Sequence, residues 1–381
     1  MQTVKPVVEI AGAGLAGLAA AAAFAQRGWS VRVHERSKEL REIGAGLYLW
    51  QNALDALREL GVYDKVAAAG VRSPNPRLLL DHKQRELNMR RPNEEVPELI
   101  VILRTELHRI LAENAIAHGV EIVTSSKVMG ADPEGRLEFA DGMGKKADLI
   151  VGADGVFSKV RDSLKLATEI REMKDGCGRH LISRLPGDSL DTQRVEMWNG
   201  GRRIGMAPAS KDHHYVFLCC PEEDVAGRIQ QPFNLEAWID SHPGYADYLK
   251  RIPRHPVEHW RPFYNVTCSS WSKGNVCIIG DAAHGMAPNL GQGACVAIVN
   301  AVVLARTVSG ERDILTALQL WEQAERPYIS QTQRMSYLYG AVGTRWPKGL
   351  LDLRTKLIPL LAKTQRVQRS LRCALDHKPN I

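Results

Sequence analysis

The sequence has no pair of cysteines at the short spacing that binds metals or forms redox-active dithiols. Its seven cysteines are an odd number, and most of them have apolar neighbours. Disulfide-stapled secreted proteins usually pair their cysteines, whereas free thiols persist in reducing compartments. We therefore expect free thiols and a cytoplasmic location. The residues concerned are Cys177, Cys219, Cys220, Cys268, Cys277, Cys295 and Cys373.

Long runs of lysine and arginine are also missing, although the formal net charge is +7. Without such a run, the mild basic excess does not favour a nucleic acid or a membrane as a partner, and we expect neither. The histidines His34, His108, His213 and His214 are scattered and show no metal-ligand spacing, so no metal site is expected. The basic side chains near the C-terminus are interpreted as a solvated face. They are Arg354, Lys356, Lys363, Arg366 and Arg369.

No repeat, low-complexity tract or long flexible linker interrupts the 381 residues, of which 44% are hydrophobic. The alanine-rich segment 15–24 could be mistaken for the core of a signal peptide. It is too short to span a bilayer, however, and glycines punctuate it. A chain of this length holds two or three structural units, which we expect to pack as one body.

Apolar periodicity predicts an alternation of strands and helices over most of the chain. A strand at 7–10, a helix at 16–27 and a strand at 30–34 form a βαβ unit. A loop from residue 44 is predicted to lead into a helix at 51–60. Further strands are predicted at 99–103, 120–123, 137–139, 149–151, 194–198, 215–219 and 276–279, with two more within 77–90, and helices at 105–117, 233–249, 293–308 and from 313 onward.

The first predicted strand runs directly into Gly12, Gly14 and Gly17, which have the GxGxxG spacing. Glycines at these positions allow a tight turn, the close approach of a pyrophosphate and tight packing of the following helix. Glu35 ends the second strand, where a carboxylate can accept hydrogen bonds from an adenosine ribose. The alternative is a tight turn beside a surface glutamate. The strand, the glycines, the helix and the glutamate occur in the expected order, however, and together they indicate a dinucleotide site.

Two further segments follow buried strands. Residues 280–284 read GDAAH and lead to Pro288, Gly291, Gln292 and Gly293, a glycine-rich start of a helix that can present backbone N–H groups to an anion. Residues 148–161 read DLIVGADGVFSKVR, with Asp154 and Gly155 at a strand end and Ser158 as a helix cap. Ordinary helix capping would explain either segment alone, but it is a poor explanation of both.

Together and in this order, the three segments resemble the class A flavoprotein monooxygenases, and the resemblance covers nearly the whole chain. It implies that the GxGxxG glycines and Glu35 bind the ADP part of FAD and that Asp281 binds the ribityl chain. Asp154 and Gly155 would touch both FAD and a nicotinamide nucleotide, and Arg104 would lie close to FAD. The remaining residues expected to bind FAD are Leu15, Ala16, Arg36, Pro288, Gly291, Gln292 and Gly293.

The resemblance implies an α/β fold: a Rossmann-type FAD-binding domain, an inserted and mostly antiparallel β-sheet substrate domain, and a C-terminal helical region. The FAD-binding domain is expected at 1–75, 100–176 and 269–330. The substrate domain is expected at 76–99 and 177–268, and the C-terminal helices at 331–381.

The reaction implied by the resemblance uses NADH or NADPH to reduce FAD and O2 to form a C4a-hydroperoxyflavin. The distal oxygen would then enter a ring carbon, with or without opening of the ring. No second GxGxxG is found, which fits a nicotinamide nucleotide that binds only transiently. The protein is expected to act as a monomer or homodimer.

Residues 44–54 and 196–199 are most similar to the family members that act on hydroxypyridine carboxylic acids, which implies a small aromatic acid as substrate. The segment 77–81 lacks a tyrosine expected in that subgroup, which implies a substrate with different ring substituents. Arginine can hold a carboxylate by two hydrogen bonds, and tyrosine can relay a proton. The predicted pocket consists of Tyr48, Arg203, Tyr215 and Tyr264 with Arg179, and Tyr48, Tyr215 and Arg203 are the catalytic candidates. The alternative is that these are core tyrosines and surface arginines.

Three other functions stay open. An FAD-dependent dehydrogenase or oxidase of a small aromatic or amine substrate would share the GxGxxG but would not be expected to carry both later segments. A non-enzymatic protein stabilised by FAD would tolerate loss of the pocket, and nothing in the sequence looks lost. A flavin halogenase would be expected to show a lysine and a tryptophan-rich motif after the first glycines, and neither is present.

Overall fold

The computed structural model describes residues 5–40, 44–87, 89, 95–190, 193–229, 231–256 and 259–377. Its strands are β1 (Val7–Ala11), β2 (Ser30–His34), β3 (Gly46–Trp50), β4 (Val71–Arg72), β5 (Leu78–Leu80), β6 (Leu99–Leu103), β7 (Glu121–Val123), β8 (Val128–Asp132), β9 (Arg136–Phe139), β10 (Gly142–Met143), β11 (Leu149–Gly152), β12 (Ala167–Ser183), β13 (Val195–Asn199), β14 (Arg202–Pro208), β15 (His213–Pro221), β16 (Arg261–Cys268), β17 (Ser272–Lys273) and β18 (Val276–Ile278). Its α-helices are α1 (Leu15–Gln26), α2 (Gln51–Glu59), α3 (Tyr63–Ala69), α4 (Arg104–Ala117), α5 (Lys159–Leu164), α6 (Val225–Arg228), α7 (Leu235–Ser241), α8 (Ala246–Leu249), α9 (Asp281–His284), α10 (Gly293–Gly310), α11 (Ile314–Thr344), α12 (Leu351–Ala362), α13 (Gln365–Leu371) and α14 (Cys373–Asp376).

The first six-stranded sheet has the order β17-β18-β11-β1-β2-β7 and is parallel except at the edge pair of β17 and β18. Helix α1 packs against α10 and α4 on this sheet. The alanines of α1 from Ala19 to Ala23 are fully buried, because small side chains let neighbouring helices approach closely. The predicted Rossmann-type βαβ unit is confirmed.

The second six-stranded sheet has the order β16-β12-β15-β14-β13-β5, and only the pair of β13 and β5 is parallel. One face is covered by α7 and α8, whose Trp238 and Leu249 pack in a core with Ile204 and Val216. The opposite face meets β3 and the segment between α9 and α10, as contacts of Tyr215 and Ala287 show. This is the predicted antiparallel sheet, called the substrate sheet below.

Two sequence predictions of local structure were wrong. The loop predicted from residue 44 contains β3, which pairs antiparallel with β6 from Gly46 to Trp50. The helix predicted at 233–249 is divided into α7, a 3-10 turn that starts at Pro243, and α8. Pro243 divides it because proline lacks an N–H and pushes His242 out of the helical conformation. Two strands were predicted within 77–90, and β5 is one of them. The range of the second prediction includes residues 88 and 90, which lie outside the described residues.

The domain boundaries remain a proposal, and three of them fall inside single elements. The boundary between residues 99 and 100 divides β6. Strand β12 begins at Ala167 and pairs with both β15 and β16, so the substrate sheet starts before residue 177. Helix α11 runs across residue 331. Helix α10 has the length and composition of a membrane span, but two thirds of it is buried inside the protein. All seven cysteines are free thiols, as predicted.

Candidate active site

The GxGxxG turn combines tight packing with one open position. Gly12 has φ +103°, and a Cβ there would lie 2.5 Å from the carbonyl oxygen of Ala153. A Cβ on Gly17 would lie 2.0 Å from the carbonyl oxygen of Gly12, whereas a Cβ on Gly14 would meet nothing within 4 Å. Gly14 caps α1 without any side-chain hydrogen bond. The turn therefore leaves a helix N-terminus open to an anion.

Glu35 is fixed beside this turn. Its carboxylate accepts hydrogen bonds from the backbone N–H of Ala13, at 3.1 Å, and from that of Ser37, at 2.9 Å. Arg36 follows with an exposed side chain. At the other side of the turn, a Cβ on Gly280 would lie 2.9 Å from the Cβ of Ala16, so the end of β18 meets the start of α1.

Asp154 lies at the same edge of the sheet. One of its carboxylate oxygens accepts a hydrogen bond from the backbone N–H of Lys159 at 2.7 Å. The other, Oδ1, is buried and has no hydrogen-bond partner among the described residues. A buried carboxylate oxygen without a donor is costly. Hydroxyl donors of a bound ligand would satisfy it. Gly155 adopts φ +85°, and Ser158 caps α5 as predicted.

The segment after β18 forms a second open helix start. Asp281 is exposed, and no described residue hydrogen-bonds its carboxylate. Gly291 has φ +65°, and α10 begins at Gly293 without a side-chain cap. Gln292 is buried and accepts a hydrogen bond from Asn52 at 3.2 Å, a contact that the sequence did not indicate. Two uncapped helix N-termini, an orphaned acceptor and an exposed aspartate fit the pyrophosphate, hydroxyls and ring of FAD.

Removal of the Asp281 carboxylate tests this fit. We expect Asp281→Ala to weaken FAD binding by about 1.5 to 3 kcal/mol, the contribution of a hydrogen bond to a charged group. Titration of the apoprotein with FAD, followed by flavin fluorescence, measures the change. Asp141→Ala is the control, because Asp141 is an exposed aspartate in the turn between β9 and β10. Equal FAD affinity of both variants and the unmodified protein would remove Asp281 from the site.

Strand register determines which side chains share the side of the substrate sheet that meets β3 and the segment between α9 and α10. Gly205 pairs with Phe217, which pairs with Arg179 on β12. Two residues along, Arg203 pairs with Cys219, which pairs with Cys177. Paired residues of neighbouring strands point to one face, and so do residues two apart on a strand. Glycine at 205 is required because a Cβ there would lie 2.0 Å from the Phe217 ring.

The structure brings Tyr48 and Tyr215 together. Their ring centroids are 6.1 Å apart with an edge-to-face arrangement. A Cβ on Gly46 would lie 2.5 Å from the Tyr215 ring, so Tyr215 adjoins β3. A Cβ on Gly291 would lie 3.0 Å from the Tyr48 ring, so Tyr48 adjoins the segment before α10. Burial raises the pKa of Tyr48 to about 12 and that of Tyr215 further. Both phenols are therefore neutral near pH 7.

Arg203 is buried rather than exposed. Its Nε donates to Glu196 at 3.1 Å, and its Nη1 donates to Asn289 Oδ1 at 2.7 Å. Asn289 in turn donates to the carbonyl oxygen of Ser336 on α11 at 3.0 Å. Burial lowers the pKa of Arg203, but the charge of Glu196 raises it overall. Arg203 thus joins the substrate sheet to the segment before α10.

Glu196 is the centre of this buried network. Besides Arg203, its carboxylate accepts hydrogen bonds from Arg77, from the indole N–H of Trp198 at 2.6 Å and from the hydroxyl of Tyr339 at 3.2 Å. Burial alone would raise the pKa of Glu196, but the two arginine charges lower it overall. The carboxylate is therefore ionised, with donors around both oxygens.

Tyr264 and Arg179 occupy different places. The Tyr264 hydroxyl donates to Glu172 at 2.8 Å, and its ring lies 5.2 Å from that of Phe157, beside Asp154 and Gly155. Tyr264 thus adjoins this segment rather than the Tyr48 and Tyr215 pair. Arg179 is half-buried, and its positive charge acts to lower the pKa of Tyr215. Their roles as substrate contacts stay predictions.

Arg194 was not among the predicted site residues. Its guanidinium carbon lies 5.7 Å from the Tyr48 ring centre and 5.4 Å from that of Trp50. Its Nε donates to the Ser73 hydroxyl at 2.8 Å, and burial lowers its pKa to about 10. Arg194 begins the segment 194–198, which is predicted as a strand. No other feature of the sequence indicated that Arg194 lies near Tyr48. Arg104 contacts the other end of the site, because a Cβ on Gly44 would lie 2.8 Å from its Cδ.

The fold and these features define an FAD-binding oxidoreductase with a substrate sheet facing the flavin site. The chain belongs to the family described as "FAD binding domain", whose model matches residues 5–311, and it is an FAD-dependent monooxygenase of the aromatic-ring class. It is 34% identical to a crystal structure of 2-methyl-3-hydroxypyridine-5-carboxylic acid oxygenase, with a TM-score of 0.85 over 97% of this chain and 98% of that one. The predicted family is confirmed.

Two curated relatives are named for other nitrogen-containing rings, a quinolone and a hydroxynicotinate. A putative 2-heptyl-3-hydroxy-4(1H)-quinolone synthase, AqdB1 of Rhodococcus erythropolis, is 39% identical over 340 residues, 88% of each chain. A 6-hydroxynicotinate 3-monooxygenase of Bordetella bronchiseptica is 27% identical over 352 residues, 87% of this chain and 91% of that one. A tetrameric form of the pyridine oxygenase, 33% identical with a TM-score of 0.85, covers 99% of both chains.

Proposed function

We propose that this protein uses NADH or NADPH and O2 to insert one oxygen atom into a nitrogen-containing aromatic ring that carries an oxygen substituent. The second oxygen atom leaves as water, and the nicotinamide nucleotide is oxidised. The observation that carries the proposal is the edge-to-face pair of two phenols, the buried Tyr215 and the half-buried Tyr48, of which Tyr48 lies beside the segment that precedes α10. Neither hydroxyl makes a hydrogen bond to a described residue, so both are available to a ligand.

FAD, when bound, supplies the transfer of electrons from the nicotinamide nucleotide and the activation of O2. Gly12, Gly14 and the start of α1 would hold its pyrophosphate, with Glu35 at the adenosine ribose. Asp154 and Asp281 would bind its hydroxyls, and the N–H groups at the start of α10 would face the ring. The substrate sheet excludes water from the opposite side through Phe217 and Tyr215.

The neutral phenols determine what the chain can do with the substrate. Tyrosine is protonated near pH 7 even at its ordinary pKa, and the raised pKa values of Tyr48 and Tyr215 keep both phenols protonated at higher pH. A protonated tyrosine can donate a hydrogen bond to a ring oxygen and pass a proton when that oxygen ionises. Tyr48 and Tyr215 would thus orient the ring and stabilise its oxygen substituent while the adjacent carbon is attacked.

Two substrate classes agree with the relatives: a hydroxypyridine carboxylic acid and a neutral 4-quinolone with an alkyl chain. The arginine contacts favour the neutral ring. A carboxylate would have to displace Asn289 or Glu196 from Arg203, or the Ser73 contact from Arg194. Displacing a partner from a buried charge is costly. The aromatic acid remains the alternative, with Arg179 and Arg203 as its carboxylate contacts.

The test is the rate of flavin reduction by NADH and by NADPH without oxygen. We expect the true substrate to accelerate reduction. If the flavin were reduced equally fast without substrate, its electrons would pass to O2 and form hydrogen peroxide instead of product. Stopped-flow absorbance is recorded with 2-alkyl-4-quinolones and with hydroxypyridine and hydroxybenzoate acids. If an aromatic acid accelerates reduction and a quinolone does not, the aromatic acid becomes the favoured substrate class. Equal rates with and without every ring compound would contradict the proposed function.

A further inference from the structure

Helix α12 carries a row of leucines that the protein leaves uncovered. Leu350, Leu353, Leu357, Leu360 and Leu361 are exposed by 48%, 43%, 38%, 68% and 55%. Their spacing of three and four residues places them on one side of the helix. Isolated exposed leucines are ordinary, whereas a contiguous apolar row indicates an interaction surface. These five side chains are called the leucine row.

The orientation of the leucine row is fixed by contacts of Arg354, beside the row, and of Thr355, on the opposite side of α12. Arg354 is fully buried and donates to the carbonyl oxygens of Gly343 and Trp198, both at 3.2 Å. Thr355 donates to Asp81 at 2.7 Å. The helix cannot turn its leucines inward without breaking these bonds, because the buried guanidinium would lose its acceptors.

The charges around the leucine row are mostly positive. Lys356 and Lys363 are exposed along one edge of it, and Lys348, Arg366 and Arg369 are exposed on the neighbouring segments. The acidic Asp352 lies on α12 but is paired with Lys83 at 2.9 Å and with Arg85 at 2.6 Å. An apolar row with a basic border complements an anionic partner.

A second copy of the chain fits this surface poorly. Antiparallel pairing of two α12 helices would bring the lysine edges together. Parallel pairing would place those lysines against the apolar edge at Leu361. Both arrangements cost free energy, the first by like-charge repulsion and the second by desolvation.

We propose that the leucine row and its basic border dock on an anionic membrane surface, with α12 lying in the plane of the headgroups. The leucines would enter the boundary between headgroups and acyl chains, and Lys356 and Arg366 would contact lipid phosphates. This departs from two expectations from sequence: that no membrane is a partner, and that the basic C-terminal side chains are only a solvated face. It is independent of the substrate.

Flotation of the FAD-loaded protein with vesicles tests the proposal. We expect binding to vesicles of phosphatidylcholine with added phosphatidylglycerol, weaker binding to phosphatidylcholine alone, and release by high salt. Leu353→Gln combined with Leu357→Gln and Leu360→Gln should reduce the bound fraction about tenfold or more. Lys356→Glu with Arg366→Glu should reduce it about tenfold, since each basic side chain near an anionic surface contributes substantially.

Matched variants exclude a general effect of surface change. Leu315, Leu320 and Leu338 on α11 have similar exposure, so their replacement by glutamine should leave vesicle binding unchanged. Replacement of the exposed Lys145 and Lys146 by glutamate controls for total charge. Circular dichroism and bound FAD verify folding of every variant. The proposal is overturned if the protein does not bind anionic vesicles, if control and test variants bind equally, or if the leucine row instead drives dimers in analytical ultracentrifugation.

Discussion

Glu196→Gln is expected to lower the free energy of unfolding by about 3 to 5 kcal/mol, the cost of leaving buried charges without their partner. The glutamine would keep the shape of the side chain but not its charge. Arg77 and Arg203 would then lose their counterion, and the amide N–H groups would face two cations. Denaturant unfolding of the apoprotein, followed by fluorescence and by circular dichroism, measures the change.

Glu121→Gln is the control for this prediction. Glu121 also forms an ion pair, with Arg32 at 2.8 Å, but its side chain is 60% exposed. Exposed pairs contribute about 0 to 1 kcal/mol, so this variant should be almost as stable as the unmodified protein. A Glu196→Gln loss no larger than the Glu121→Gln loss would show that the buried network does not hold the substrate sheet to α11.

Tyr215→Phe is expected to lower the yield of hydroxylated product by roughly 10²-fold while substrate binding and flavin reduction persist. The phenylalanine keeps the ring that packs on Gly46, but it removes the hydroxyl proposed to stabilise the ring oxygen. Electrons from the nicotinamide nucleotide should then appear as hydrogen peroxide. Product by chromatography and peroxide by a coupled assay give the partition between the two outcomes.

Tyr63→Phe provides the comparison, because its hydroxyl donates to Glu98 outside the substrate sheet. That variant should retain the product yield of the unmodified protein. The same substitution at Tyr48 separates the two candidates, since the residue that relays the proton should give the larger fraction of peroxide. Full product yield from both Tyr48→Phe and Tyr215→Phe would place the reacting ring elsewhere.

The cofactor segments could be predicted from sequence because each is local. The GxGxxG turn needs glycine for contacts within a few residues of the chain and with the neighbouring strand, so its spacing alone indicates the structure. Strands β2 and β6 have the predicted bounds because the apolar pattern of each is continuous and a charged residue follows its last position. The roles of these residues toward FAD remain predictions.

The substrate side could be predicted only in part, because its contacts join distant segments. The Arg203 to Asn289 hydrogen bond spans 86 positions, and the Glu196 to Tyr339 bond spans 143. No local pattern indicates such a pairing. Arg203 was therefore predicted as a substrate contact, whereas the structure shows its bonds to Glu196 and Asn289. Strand β3 was missed because it begins with and follows glycines, which are typical of a loop.

The central claim is that the protein transfers one atom of O2 to an aromatic nitrogen heterocycle. The most direct test is turnover under isotopically labelled O2 with NADH or NADPH, and with the compound that most accelerates flavin reduction. Mass spectrometry of the product should show one labelled oxygen on the ring, with one nicotinamide nucleotide oxidised per product. A product without labelled oxygen, or oxidation of the ring compound while the flavin passes its electrons only to peroxide, would contradict the account and favour a dehydrogenase or oxidase.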